Sequence, residues 1–179
     1  MKRVRVFTIG HSTRSLEELV ALLKHHGLDR LVDVRTLPGS RRVPQFNKEA
    51  IEPALAEAGI DYVHLKGLGG LRKPRPDSEN TGWRNSSFRG YADYMQTPEF
   101  ERSLEELIEL ALERPTAIMC AEAVPWRCHR SLIADALLVR GHEVLHIFSE
   151  TKAEPHRLTP FAKAEGTRVW YPPEQLALP

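Results

Sequence analysis

The stretch Thr116–Gly141, TAIMCAEAVPWRCHRSLIADALLVRG, reads as a buried strand, a short polar loop and a helix. Thr116 to Cys120 is an apolar run bounded by Pro115 and Glu122, which suits a central strand covered on both faces. Leu132, Ile133, Ala136 and Leu137 then recur at helical spacing, and Gly141 supplies the stop. Both cysteines of the chain, Cys120 and Cys128, flank the loop between the two. The reading places Cys128, His129 and Arg130 in the first helical turn, where free N–H groups and the positive end of the helix dipole favour an anion and ease ionisation of a thiol.

The same strand-then-helix unit recurs outward from this stretch. Arg3 to Gly10 alternates as a first strand. Ser15 with Glu18 three residues on forms a capping box ahead of the apolar stripe Leu16, Leu19, Val20 and Leu23, which stops at Gly27. Leu28 to Val34 is a second strand that delivers Asp33 and Arg35. Asn47 is placed to cap a helix carrying Ile51, Leu55 and Ala58, although Pro53 removes an interior hydrogen bond and is an alternative start. Ile60 to Leu65 is a third strand, running into Gly67-Leu68-Gly69-Gly70. Thr97 and Pro98 open a helix with Phe100, Leu104, Leu107 and Ile108 on its buried side, and Glu143 to Phe148 is a fifth strand. Residues 71–90 read as a long loop of functional type, and a Pro-rich tail begins at about 149. The alternation predicts one α/β domain over 1–179, with a doubly wound, mainly parallel five-stranded sheet and helices on both faces.

The 179 residues are 41 % hydrophobic, enough for one core, and 25 basic against 24 acidic side chains leave a net charge of +1. Nothing global marks a nucleic-acid or membrane partner, no apolar run is long enough for a membrane span, and no signal-peptide core precedes the first strand. A cytoplasmic protein without a membrane partner is expected, and in that reducing compartment the two cysteines are expected as free thiols.

Open parallel sheets bind ligands beyond the carboxyl ends of their strands. That edge collects His11 and Ser12, then Arg35 with Arg41 and Arg42, then Gly69 and Gly70, then Cys120, Glu122, Cys128, His129 and Arg130, and finally His156. Charge is segregated there. Arg35 to Lys48 holds four basic residues and no acidic one, and Lys66 to Arg89 holds six basic against two acidic. Phe46, Trp83, Phe88 and Trp126 lie among them, a mixture that suits phosphate attraction with base stacking. The expected partner is therefore a phosphate-bearing small molecule or a nucleic acid.

There is no P-loop, and Gly67-Leu68-Gly69-Gly70 lacks the dinucleotide spacing. Cys120, Cys128, His129 and His156 are zinc-capable, but no close cysteine pair of structural spacing exists, so neither metal nor cofactor is expected. In the leading reading Arg35, Arg41 and Arg130 hold phosphate beside Cys128, Glu122 or His11 transfers a proton, and Cys120 is a nucleophile or a wall. Ser12, Gly69, Gly70, His129 and His156 complete the ligand set. A second reading is thiol-dependent transfer or hydrolysis on a small molecule through Cys120 or Cys128, and a third is a non-catalytic module for anions or nucleic acid. Cys120 in its strand serves equally well as a small core residue.

The motifs Ile9-Gly10-His11-Ser12, Asp33-Val34-Arg35 with Pro38 and Ser40-Arg41, Phe46, Leu68-Gly69-Gly70, Tyr91-Ala92 with Tyr94-Met95, Cys120-Ala121-Glu122, Cys128-His129-Arg130 and His156 run in order along nearly the whole chain. Together they resemble the bacterial and archaeal family catalogued as domain of unknown function 488. The resemblance implies a small α/β protein and leaves the reaction open.

Overall fold

The computed structural model describes residues 2–173. Its central sheet has six strands in the order β3-β2-β4-β1-β5-β6, formed by β1 (Arg5–Gly10), β2 (Arg30–Asp33), β3 (Asp61–His64), β4 (Thr116–Cys120), β5 (Glu143–Ile147) and β6 (Ala153–Pro155). The first five are parallel, and β6 returns antiparallel to β5, pairing Leu145 with Pro155. β7 (Lys163–Glu165) and β8 (Arg168–Trp170) make a separate two-stranded ribbon. The five-stranded expectation is corrected to six because the tail folds back onto the sheet. A three-residue strand ending in proline is too short to show alternation.

Five helices accompany the sheet: α1 (Leu16–His25), α2 (Lys48–Glu57), α3 (Ser86–Tyr94), α4 (Pro98–Glu113) and α5 (Arg130–Val139). The Ser15–Glu18 capping box forms in both directions. α2 runs through Pro53 from Lys48, so the alternative start at the proline is overturned. Asn47 stands at its N-cap position, but its side chain accepts from the Ser40 N–H at 2.6 Å instead of capping. The expected loop 71–90 ends early. Asn85 accepts from the N–H groups of Ser87 and Phe88 and nucleates α3, a start without apolar periodicity in the preceding residues. α5 begins at Arg130, so Cys128 and His129 lie just before its first turn rather than within it.

Strand alternation divides the core between the two faces of the sheet. Ile118 and Cys120 of β4 pack with Tyr91 of α3, Leu104 and Leu107 of α4, and Leu132 and Ile133 of α5. Ala117 and Met119 pack with Leu19 and Leu23 of α1 and Ile51 and Leu55 of α2. β4 and β1 are neighbours, yet β1 leads to α1 on one face and β4 to α5 on the other. Their carboxyl ends form a switch point, the place where an α/β sheet opens a crevice. Among the described residues, no helix is long and apolar enough to cross a membrane.

Candidate functional site

β4 ends on Cys120, and a 3-10 turn at Pro125–Arg127 brings the chain back so that Cys128 faces it. The two sulfurs are paired as a disulfide, with Cα atoms 7.3 Å apart, slightly beyond the usual span of a bridge. The two cysteines expected as free thiols are thus brought face to face. The seven residues between Cys120 and Cys128 return the chain to the end of its own strand, a closure that the spacing of two cysteines does not reveal.

Both cysteines line a cavity of ≈ 350 Å³ at the carboxyl edge of the sheet. Glu122, Arg127, His129, Arg35 and Gly70 share its lining, together with Thr36, Leu37, Leu71, Phe88 and Tyr91. Two loops at this edge hold residues other than glycine in the left-handed region, Ser12 at φ 48° and Leu71 at φ 60°, a conformation that is costly away from Gly and Asn.

The Cys128 sulfur has two polar neighbours. The Arg130 backbone N–H donates to its sulfur at 3.4 Å, and His129 Nδ1 lies 3.5 Å from the same atom. His129 Nε2 meets the Val34 carbonyl at 2.7 Å, so that nitrogen carries the proton and Nδ1 turns a lone pair toward the sulfur. Burial is the main reason that the His129 pKa is lowered to about 4, which keeps the ring neutral near pH 7. The N–H groups of Ser131, Leu132 and Ile133 are already engaged by the Cys128 and His129 carbonyls. The partner that the start of α5 serves is thus the sulfur of Cys128.

Arg130 is 1 % exposed. Its terminal nitrogens donate to Thr8 Oγ1 at 3.1 Å and to the Glu122 carbonyl at 2.8 Å, while its buried Nε has no partner. Among the described residues no carboxylate touches it, and desolvation lowers its pKa to about 10. Arg35 is arranged differently. It forks onto Asp33 through Nε at 2.9 Å and a terminal nitrogen at 2.7 Å, and donates also to the Phe46 carbonyl. Tyr62 donates to the same Asp33 at 2.6 Å.

His11 stacks on Phe46 at 4.4 Å. Its Nδ1–H donates to the Ser12 carbonyl, and its Nε2 accepts from Arg35 at 3.3 Å. Burial lowers its pKa, and both ring nitrogens are occupied. Ser12 contributes its backbone, donating from its N–H to the Ala121 carbonyl. Gly69 abuts Thr36, whose hydroxyl donates to the Gly70 carbonyl at 2.8 Å, and a Cβ on Gly70 would lie 3.3 Å from His129 Nδ1. Arg41 is exposed on the 36–46 loop and does not line the cavity.

His156 belongs to a separate buried chain. Asp135, fully buried on α5, accepts from His156 Nε2–H at 2.7 Å, from the Thr159 N–H and hydroxyl, and from the Tyr171 hydroxyl. His156 Nδ1 then accepts from His146 Nε2–H at 2.8 Å, and Thr8 donates to His146 Nδ1 at 2.6 Å. The chain ends on Arg130. The four zinc-capable residues are consequently not brought together, and no group of three His, Cys, Asp or Glu among the described residues is arranged to hold a metal. Asp135 was absent from the sequence-derived set, although a carboxylate inside the apolar run Leu132–Leu138 signals a buried group in need of partners. Phe88 and Tyr91 stand out in the sequence only as an aromatic among basic residues and as part of the Tyr91-Ala92 motif, and Thr36 carries no signal.

The family described as domain of unknown function DUF488 matches residues 15–137, more than half of the chain, and the chain belongs to it. No curated protein and no solved structure matches the chain.

Proposed function

We propose that this member of the DUF488 family is a cytoplasmic protein that performs thiol-dependent chemistry on a small anionic molecule, with Cys128 as nucleophile and Cys120 as its resolving partner. The observation that carries this reading is the meeting of both sulfurs on one cavity wall, with a helix-terminal N–H and the lone pair of His129 directed at Cys128. A neutral imidazole takes the thiol proton, and the N–H, the start of α5 and the buried Arg130 charge stabilise the thiolate. In a reducing compartment a cysteine pair of this kind cycles rather than staples the fold. The Cys128 thiolate attacks one sulfur of a low-molecular-weight disulfide and expels the other as a thiolate. Cys120 then attacks the Cys128 sulfur of the mixed disulfide, releases the second thiolate and closes the Cys120–Cys128 bond. Two electrons pass from the protein to the substrate, and the two released thiolates are protonated. Arg127 at the cavity wall favours an acidic substrate.

Alkylation of the reduced protein by iodoacetamide across pH, read site by site by mass spectrometry, tests the assignment. Cys128 is expected to label first, with a midpoint well below the ~8.5 of a free cysteine. Equal and slow labelling of both cysteines would remove the reading.

A second reading keeps the phosphate-bearing small molecule or nucleic acid as guest, without a thiol step. It is favoured by Trp126, 64 % exposed beside Arg127 and next to the same cavity. Binding of a short oligonucleotide that weakens with added salt, and that survives Cys128→Ser, would favour it over thiol chemistry.

A further inference from the structure

Across the Pro125–Arg127 turn from the cysteines lies a second cavity of ≈ 410 Å³, within the size range of small-molecule sites. It opens beyond the carboxyl end of β5, so it continues the edge at which α/β sheets take ligands. Its walls are largely flat rings. Trp83, Trp126, Phe148 and Phe161 line it, with Pro125, Pro155 and Pro160 between them. Trp83 is fixed in place by edge-on contacts with Phe161 at 4.8 Å and with Phe88 at 5.1 Å. Trp126 stands mostly in solvent on a proline-led turn.

The polar groups of this cavity narrow its guest. His156 and His146 have spent their nitrogens on each other, on Asp135 and on Thr8, so they supply ring surface and not free donors. Ser131 has given its hydroxyl proton to the Cys128 carbonyl. At the rim, Glu154 is paired with Lys152 at 3.2 Å, whereas the exposed Arg157 forms no ion pair among the described residues. Aromatic walls with one uncommitted guanidinium at the mouth suit a flat ring that carries an acidic group.

We infer that this cavity is a binding site for a heteroaromatic ring bearing an anionic group, the chemistry of a nucleoside monophosphate. The ring stacks against Trp126 and Phe148, and Arg157 takes the phosphate. The inference does not depend on thiol chemistry at Cys128, since the two cavities have no lining residue in common.

Titrations of the full chain with AMP, GMP, CMP and UMP, followed by tryptophan fluorescence and by calorimetry, test it. At least one nucleotide is expected to bind saturably in the micromolar to millimolar range. Trp126→Ala should weaken that binding roughly tenfold, the size of one lost base stack. Arg157→Ala should weaken the nucleotide several-fold and leave the corresponding nucleoside unchanged. Cys128→Ser and Arg127→Ala should leave both affinities as they were, and inorganic phosphate should compete poorly. The inference is overturned if none of the four nucleotides binds by calorimetry. It is equally overturned if Trp126→Ala and Arg157→Ala are without effect, or if Cys128→Ser and Arg127→Ala abolish binding, which would place the nucleotide in the cysteine cavity.

Discussion

Arg35 and Arg130 stand at the same edge of one sheet and are both buried, 8 % and 1 % exposed. Arg35 meets a carboxylate that the preceding strand supplies two residues earlier, and the pair is locked further by Tyr62 and Phe46. Arg130 meets only a hydroxyl and a carbonyl, and its own backbone N–H touches the Cys128 sulfur. A guanidinium satisfied by a fixed acid is spent on architecture. One whose charge has no acid in contact among the described residues retains a field that would act on an anion formed nearby, such as the thiolate proposed at Cys128.

The contrast breaks most visibly at Asp33. Asp33→Ala leaves the Arg35 charge buried without its acid and strips Tyr62 of its acceptor, so a loss of roughly 3–5 kcal/mol is expected in urea unfolding. A loss below about 1 kcal/mol would mean that Arg35 is not held by Asp33, and the distinction between the two arginines would fail.

His129 joins the two regions, bonded to Val34 on one side and facing Cys128 on the other. Its folded pKa of about 4 lies below the 6.5 of an ordinary histidine, so the unfolded chain takes up the proton first. The stability owed to the neutral ring is complete above pH 6.5 and drains away as the pH falls towards 4. It amounts to about 3 kcal/mol. His146, lowered to about 3 mainly by burial, acts in the same direction. Urea midpoints compared between pH 7.5 and 4.5 should fall for the native chain and fall less for His129→Gln. Equal slopes in the two proteins would detach His129 from the effect.

The smallest expected change in stability is at Arg130 itself. Arg130→Met removes a charge without orphaning a carboxylate, so the expected cost is only ~1–2 kcal/mol, from the lost bonds to Thr8 and the Glu122 carbonyl. Its signature is kinetic, because the alkylation midpoint of Cys128 should move up in pH. A destabilisation as large as that of Asp33→Ala, with no movement of the midpoint, would make the two arginines alike.

The division of the sequence into strands and helices was legible wherever one segment carries its own signal. The Ser15–Glu18 box, the Thr97-Pro98 start and the apolar run Thr116–Cys120 each declare an element locally. β6 and the start of α3 did not, since one is fixed by pairing with β5 and the other by an Asn85 cap with no apolar stripe before it. The same divide runs through the site. Cys120, Cys128, His129 and Gly70 follow from strand ends and do line one cavity, whereas the commitment of Arg35 to Asp33 and of His156 to Asp135 depends on side-chain partners. Arg41 shares the basic loop in sequence but not the cavity in space: Thr36 and Leu37 at the start of that loop line the cavity, Arg41 does not, and Phe46 at its end stacks on His11.

β6 has a consequence of another kind. It is the outermost strand on its side, only three residues long, with an exposed Glu154 and a terminal Pro155 that has no N–H to offer. An arriving extended chain finds there neither a run of donors nor a neutral surface. The opposite border, β3, is a parallel strand of four residues that opens on the charged Asp61. Partial melting of the tail would uncover the side of β5 that β6 pairs with, and so give the sheet a new and longer border.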